Sequence, residues 1–237
     1  MDQIRFATPS PDNRTAEAPE PDPRHQPVGH LLGKLSELYE SGGRGPGTVS
    51  GGQGDPGGVS YGLFQLASRK GTVAAFLQNE GAPWIGALAG EPGSTDFSAR
   101  WRAVAAKETS AFAAAQRAFV ARSHYRPAIR GVLAATGYDL DRRPDPVRDV
   151  VWSTAVQHGC AVRLLTGAVH DADLQASRGG QAHDRALILA TYRVRTDYVR
   201  AIGRRAGPAI RKTMETIALC RYPDECAGAL AMLDAAG

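Results

Sequence analysis

Three cysteines in 237 residues, Cys160, Cys220 and Cys226, are too few and too irregularly spaced for a zinc site or a disulfide framework. Cys220 and Cys226 flank Arg-Tyr-Pro-Asp-Glu, where Pro223 is expected to break a helix. Two outcomes stay open there: a disulfide across the break, or two separate thiols. Long apolar runs are also missing, since none approaches the ~18–20 apolar residues that a membrane-spanning helix needs, so no membrane insertion is expected. The first residues lack the basic-then-apolar pattern of a signal peptide. The expectation is a protein made in the cytoplasm without a classical export signal, which needs another carrier to act beyond it. The order G-x-x-x-x-G-K-[ST] is absent, so the glycine-rich stretch described below is not read as a phosphate cradle, and neither a cofactor nor a metal is expected.

What is present has an ordinary globular balance, 43% apolar and 22% charged residues. Residues 1–27 hold six prolines and few large apolar side chains. They read as a flexible Pro-rich tail that cannot offset the entropy of its own ordering, leaving residues 28–237 as one domain. The net charge is +4, and the tail carries three Arg against five Asp or Glu, so the body is the basic part. Such a field attracts an anionic polymer such as peptidoglycan; it would attract nucleic acid too, but no nucleic-acid motif accompanies it.

Val28, Leu31, Leu32, Leu35, Leu38 and Tyr39 recur at helical spacing, which predicts a helix from about Gly29 to Glu40, stopped by Ser41-Gly42-Gly43. From Gly42 to Gly62, ten of twenty-one residues are glycine. This stretch predicts loops with a small hairpin. Helical patterns follow near 72–80, 98–121, 125–136, 147–156, 160–170, 183–203 and 207–219, with breaks expected at Pro127, Gly137, Gly159, Pro208 and similar points. The fold class is therefore mainly α, a helical domain with one small glycine-rich lobe.

Two carboxylates have contrasting surroundings. Glu40 closes a predicted helix, where the negative end of the macrodipole and the neighbouring Leu38 and Tyr39 would raise its pKa, as a general acid requires. Asp55 lies among glycines, where backbone amides and solvent would keep it ionised, as a base requires. Either residue alone also fits a bland reading, a solvated helix end or a turn-starting Asp.

The whole run from Glu40 to Ser68, ESGGRGPGTVSGGQGDPGGVSYGLFQLAS, resembles the muramidase domain at the C-terminus of some type VI secretion spike proteins and of related phage lytic proteins. Phe97 to Trp101, Gln116 to Pro127 with Ser123-His124-Tyr125, and Asp149 to Gly159 are similar to the same family, so the likeness spans roughly residues 29–220. It implies a lysozyme-superfamily fold and cleavage of the β-1,4 bond between N-acetylmuramic acid and N-acetylglucosamine. Glu40 is then the proton donor and Asp55 its partner. Chitosanases and phage-type lysozymes, more distantly similar, place a hydroxyl residue a few positions after the Asp, matched here by Ser60, which would hold the attacking water. Goose-type lysozymes and lytic transglycosylases carry an element echoed by Tyr61-Gly62-Leu63-Phe64-Gln65. By that likeness Tyr61 would stack on a sugar and Gln65 would bind an N-acetyl group; the alternative for both is a packed strand end.

Gln157 and His158 end an apolar helix and are candidates for substrate contact or for structure, with His124 a weaker one. Trp84, Trp101 and Trp152 sit at core spacings. The resemblance further implies peptidoglycan strands as ligand, a secretion spike or chaperone as carrier, a periplasmic immunity protein as antagonist, and action in the periplasm of a target cell or, for a phage lysin, on the host wall. A chitosanase, a lytic transglycosylase and an inactive glycan-binding module remain the alternatives.

Overall fold

The computed structural model describes residues 32–33, 36–37, 42–52 and 57–236. Among the described residues, the glycine-rich lobe carries a two-stranded antiparallel hairpin, β1 (Ser60–Tyr61) and β2 (Leu66–Ala67), in the register Ser60 with Ala67 and Tyr61 with Leu66. Val49 bridges Tyr61 from the other side, so the predicted hairpin gains a third extended piece. Helices follow: α1 (Thr72–Leu77), α2 (Thr95–Lys107), α3 (Thr109–Val120), α4 (Arg126–Thr136), α5 (Asp145–Gln157), α6 (Ala161–Asp173), α7 (Gln181–Arg205), α8 (Pro208–Thr216) and α9 (Tyr222–Ala235). Among the described residues the protein is mainly helical, and none of its helices is long and apolar enough to cross a membrane.

Helix α5 runs through the centre of the helical body. Every residue from Asp149 to His158 is buried. A helix enclosed on all sides is normally apolar all round, yet this one carries Asp149, Ser153, Thr154, Gln157 and His158. Each of these polar side chains has at least one hydrogen-bond partner, as burial demands. Thr154 donates to the Val150 carbonyl at 2.7 Å, Ser153 to Glu225 at 3.0 Å, and Gln157 accepts from Arg195 at 2.6 Å.

A second part of the same core is aromatic and lies under the glycine-rich lobe. Trp101 is fully buried, with ring centroids 5.1 Å from Tyr61, 5.8 Å from Phe76 and 4.7 Å from Phe112. Edge and tilted arrangements at these spacings add to the area the rings bury. Trp84 and Trp152 are also buried, so all three tryptophans pack in the core.

Three sequence expectations change on folding. The stretch 98–121, read as one helix, is two, because Glu108 leaves helical geometry at φ −130 and ψ 45. Pro127 and Pro223, read as breaks, instead sit in the first turns of α4 and α9, each entered from a π-helical turn, Ala121–Tyr125 and Ile217–Arg221. The wider π turn accommodates a residue that lacks an N–H, so the chain direction survives the proline. Cys220 and Cys226 accordingly lie on a continuous helical path and are free thiols. Within the stretch 29–40, read as one helix, Gly33 has φ +91, outside helical geometry, while Ser36 and Glu37 are helical and the Glu37 N–H bonds the Gly33 carbonyl at 2.9 Å. A Cβ at Gly33 would stand 2.8 Å from the Trp152 ring, so close packing against α5 selects glycine there.

Candidate active site

Glu40 and Asp55 lie outside the described residues. The segments that flank them are described, and they are held to the helical body by a small set of buried polar contacts. Helix α3 contributes Gln116, which is 1% exposed. Its Nε2 donates to the Pro46 carbonyl at 3.2 Å and its Oε1 accepts the Leu63 N–H at 2.8 Å. One amide thus ties the start of the lobe to the hairpin turn. Trp101 Nε1 donates to the same Pro46 carbonyl at 2.8 Å, so both lone pairs of that oxygen are used. Gly62, at φ +76, lies so close to Gln116 that an added Cβ would come within 2.7 Å of the amide carbon.

The described residues that precede Glu40 are fixed by two further contacts. Gly33 N–H donates to the buried Asp149 Oδ1 at 2.6 Å, anchoring that segment to α5. One helical turn later, Glu37 is ion-paired with Arg117 of α3. The Arg117 guanidinium also lies 5.9 Å from the Phe64 ring centroid, and Phe64 packs on Trp152 at 5.7 Å. Arg117 therefore joins the residues preceding Glu40 to the hairpin turn that follows Asp55. Neither Gln116 nor Arg117 was singled out from sequence as a strut, because in an alanine-rich helix nothing local distinguishes a structural Gln-Arg pair from a solvated one.

The remaining candidate residues fall into two places. Ser60 is 8% exposed on β1, its N–H bonded to Ser50 Oγ at 2.8 Å. Tyr61 is fully buried, its hydroxyl paired with Ser98 Oγ at 2.8 Å and accepting the Gly93 N–H at 3.0 Å. As placed, the Tyr61 ring has Phe97 and Trp101 against it and no face left for a sugar, and the packed alternative describes it. Gln65 is partly exposed with φ +50, the sole non-glycine in the left-handed region among the described residues. Its Nε2 bonds the Gly62 carbonyl at 3.0 Å across the turn. A long side chain held in that conformation costs about 1 kcal/mol or more, and such strain clusters where a side chain must be aimed.

Gln157 and His158 belong to a separate buried network between α5, α7 and α9. Glu225 and Arg195 are both fully buried and stand 3.2 Å apart. Glu225 also accepts from Ser153, Tyr192 at 3.1 Å and Arg221 at 2.7 Å, while Arg195 is stacked between Tyr192 and Tyr222. Gln157 accepts from Arg195 and from Tyr222, and His158 Nε2 shares a hydrogen bond with the Tyr222 hydroxyl at 2.9 Å. Burial, reinforced by the charges of Arg195 and Arg221, holds His158 well below its usual pKa, so it is neutral. His124, in the π-helical turn, is pushed down to about 4 by burial, with Nδ1 2.7 Å from Ser123 Oγ.

Two comparisons relate the chain to known proteins. The chain is 36% identical over 146 residues to the type VI secretion system spike protein VgrG3 of Vibrio cholerae serotype O1, an alignment covering 61% of this chain and 14% of that protein. The chain thus spans a small part of the length of its relative. A family model described as type VI secretion system spike protein VgrG3-like, C-terminal, matches residues 32–218, which includes the glycine-rich lobe, the Gln116 and Arg117 struts and most of the helical body. The chain belongs to the VgrG3-like C-terminal family of type VI secretion spike proteins.

Proposed function

We propose that the protein is a peptidoglycan hydrolase, an N-acetylmuramidase that works by two-carboxylate catalysis. The observation that carries this reading is the run from Glu40 to Ser68, with its two carboxylates in contrasting sequence contexts, inside the family-matched region. Glu40 protonates the oxygen that leaves the N-acetylmuramic acid carbon, and Asp55 takes a proton from the attacking water. Ser60, on the strand that follows Asp55, helps hold that water, and Gln65 engages an N-acetyl group of the sugar. The struts support the reading because a general acid and base must be kept in register, and Gln116 and Arg117 join the segments that flank them.

The protein acts on the wall in the periplasm of a target cell. Its kinship with a secretion spike protein supports carriage by that machinery, and an immunity protein that plugs the cleft would protect the producing cell.

Digestion of purified peptidoglycan, with the fragments weighed by mass spectrometry, tests the reaction. Reducing N-acetylmuramic acid ends are expected; anhydro ends would mean a lytic transglycosylase, and an intact wall with cleaved chitosan a chitosanase. Glu40→Gln is expected to lower lysis by about 10²–10⁴-fold and Asp55→Asn by about two orders of magnitude, with melting midpoints close to the parent. Lysis at the parental rate by Glu40→Gln removes it as the acid.

A further inference from the structure

Several arginines of the helical body are ion-paired. Arg122 meets Glu80, Arg143 meets Asp184, Arg178 meets Asp173 and Arg193 meets Asp171. One stretch of the chain holds basic residues and no acidic ones. Between Tyr198 and Met214 the chain carries Arg200, Arg204, Arg205, Arg211 and Lys212 and no acidic residue. These residues end α7 and begin α8, and all five are exposed. Arg200 and Arg204 make no ion pair with any described residue. Arg211 donates through Nε to the Gly203 carbonyl at 3.4 Å, which fixes its guanidinium against the end of α7.

These arginines surround a built concavity. Arg200, Arg204 and Arg211 line a cavity of about 500 Å³, floored by Gly203 and Met214 and edged by Glu215. Gly203 matters because a Cβ there would sit 3.2 Å from Met214, so the floor is formed by close approach of α7 and α8. Arg200 also borders a second cavity, of about 270 Å³, whose walls include Pro223, Cys226 and Asp197. The two are neighbours along α7 with Arg200 as their shared lining residue, the first lined by arginines and the second more apolar with Asp197 in its wall, and together they are called the trench.

We propose that this trench is a docking site for the carboxylate-bearing stem peptides of peptidoglycan, separate from the residues that cut the glycan. The proposal rests on the hydrolase reading above. The three guanidinium groups that line the first concavity match carboxylates bidentately. Glu215 and Asp197 at the rim favour a ligand that carries amino groups as well, as a peptide does, over a uniform polyanion. The apolar wall suits alkyl side chains. Nucleic acid fits less well, because Asp197 and Glu215 repel a polyphosphate and the nearby rings, Tyr192 and Tyr222, are buried at 4% and 1% exposure and offer a single strand no stacking surface. Such a site would hold the enzyme on an insoluble wall between cuts.

The test compares the full chain with its Arg200→Gln/Arg204→Gln/Arg211→Gln variant, both carrying Glu40→Gln so that the wall persists, by sedimentation with insoluble sacculi at low salt. The triple variant is expected to bind about tenfold more weakly, with a shallower salt dependence, and to keep the parent melting midpoint because all three side chains are exposed. Sacculi whose carboxylates have been converted to amides should bind the parent as weakly as intact sacculi bind the variant. Equal binding by parent and variant overturns the proposal, as does equal parental binding to intact and amidated sacculi. A parent that prefers duplex DNA, with that preference lost in the variant, overturns it in favour of a nucleic-acid surface. Failure of the hydrolase reading shows separately, as an uncut wall in the presence of the protein with Glu40 intact.

Discussion

Replacing Glu225 by Gln removes one negative charge from a place where nothing else can take over its role. Glu225 is fully buried and faces two arginines, Arg195 at 3.2 Å and Arg221 at 2.7 Å. Burial by itself would raise its pKa, but Arg195 and Arg221, with hydrogen bonds from Arg221 and Ser153, outweigh it and leave the value below normal. The amide keeps the shape, yet it presents an NH₂ group to donors and leaves the fully buried Arg195 without its counter-charge. Breaking a buried pair in this way costs about 3–5 kcal/mol. In a domain of this size each kcal/mol moves the midpoint by roughly 2–4 °C, so Glu225→Gln should lower the melting midpoint by about 6–20 °C. The double variant Arg195→Met/Glu225→Leu should recover part of that loss, because it leaves no buried charge unpaired. The sign with pH follows from the lowered value. Glu225 contributes stability that is present above its unfolded pKa and is lost as pH falls through its folded pKa. The parent should therefore lose stability in acid, and Glu225→Gln should lose less. Thermal melts of the three proteins at neutral and acid pH read all of this. A midpoint within about 2 °C of the parent for Glu225→Gln would refute the assignment of this ion pair as a support of the core.

Gly62→Ala should cost about 2–5 kcal/mol, since it combines a positive φ with intrusion on the Gln116 amide, and should depress lysis as the hairpin turn shifts; a denaturant titration and a turbidity assay on one sample check both. His124 is held neutral down to about 4, whereas the unfolded chain takes a proton near 6.5, so stability is full above 6.5 and falls by about 3 kcal/mol as pH drops to 4. Urea midpoints measured across that range should show the fall, and His124→Asn should flatten it. Deleting residues 1–25 should leave turnover on isolated walls unchanged, and a large drop would show that the tail completes the domain.

The periodicity of apolar residues located most of the helical segments, because a helix buries one stripe whatever its neighbours are. That information is local and needs no tertiary context. The glycine-rich run was equally legible as a lobe with a hairpin, since positions such as Gly62 require a conformation that other residues avoid. Family membership could be seen in the same run. The prolines at 127 and 223 misled, because whether a proline ends a helix depends on the turn before it, and the π-helical turns are set by packing. Gly33 was likewise invisible within an apolar repeat, its break imposed by Trp152 and Asp149 more than a hundred residues away. The sequence also left Tyr61 open between sugar stacking and packing, and only the enclosure of its ring by Phe97 and Trp101 decided that. The struts Gln116 and Arg117, and the burial of Arg195 with Glu225, belong wholly to tertiary structure. A charged or amide side chain on a helix reads as solvated until its neighbours exclude water, and those neighbours come from distant parts of the chain.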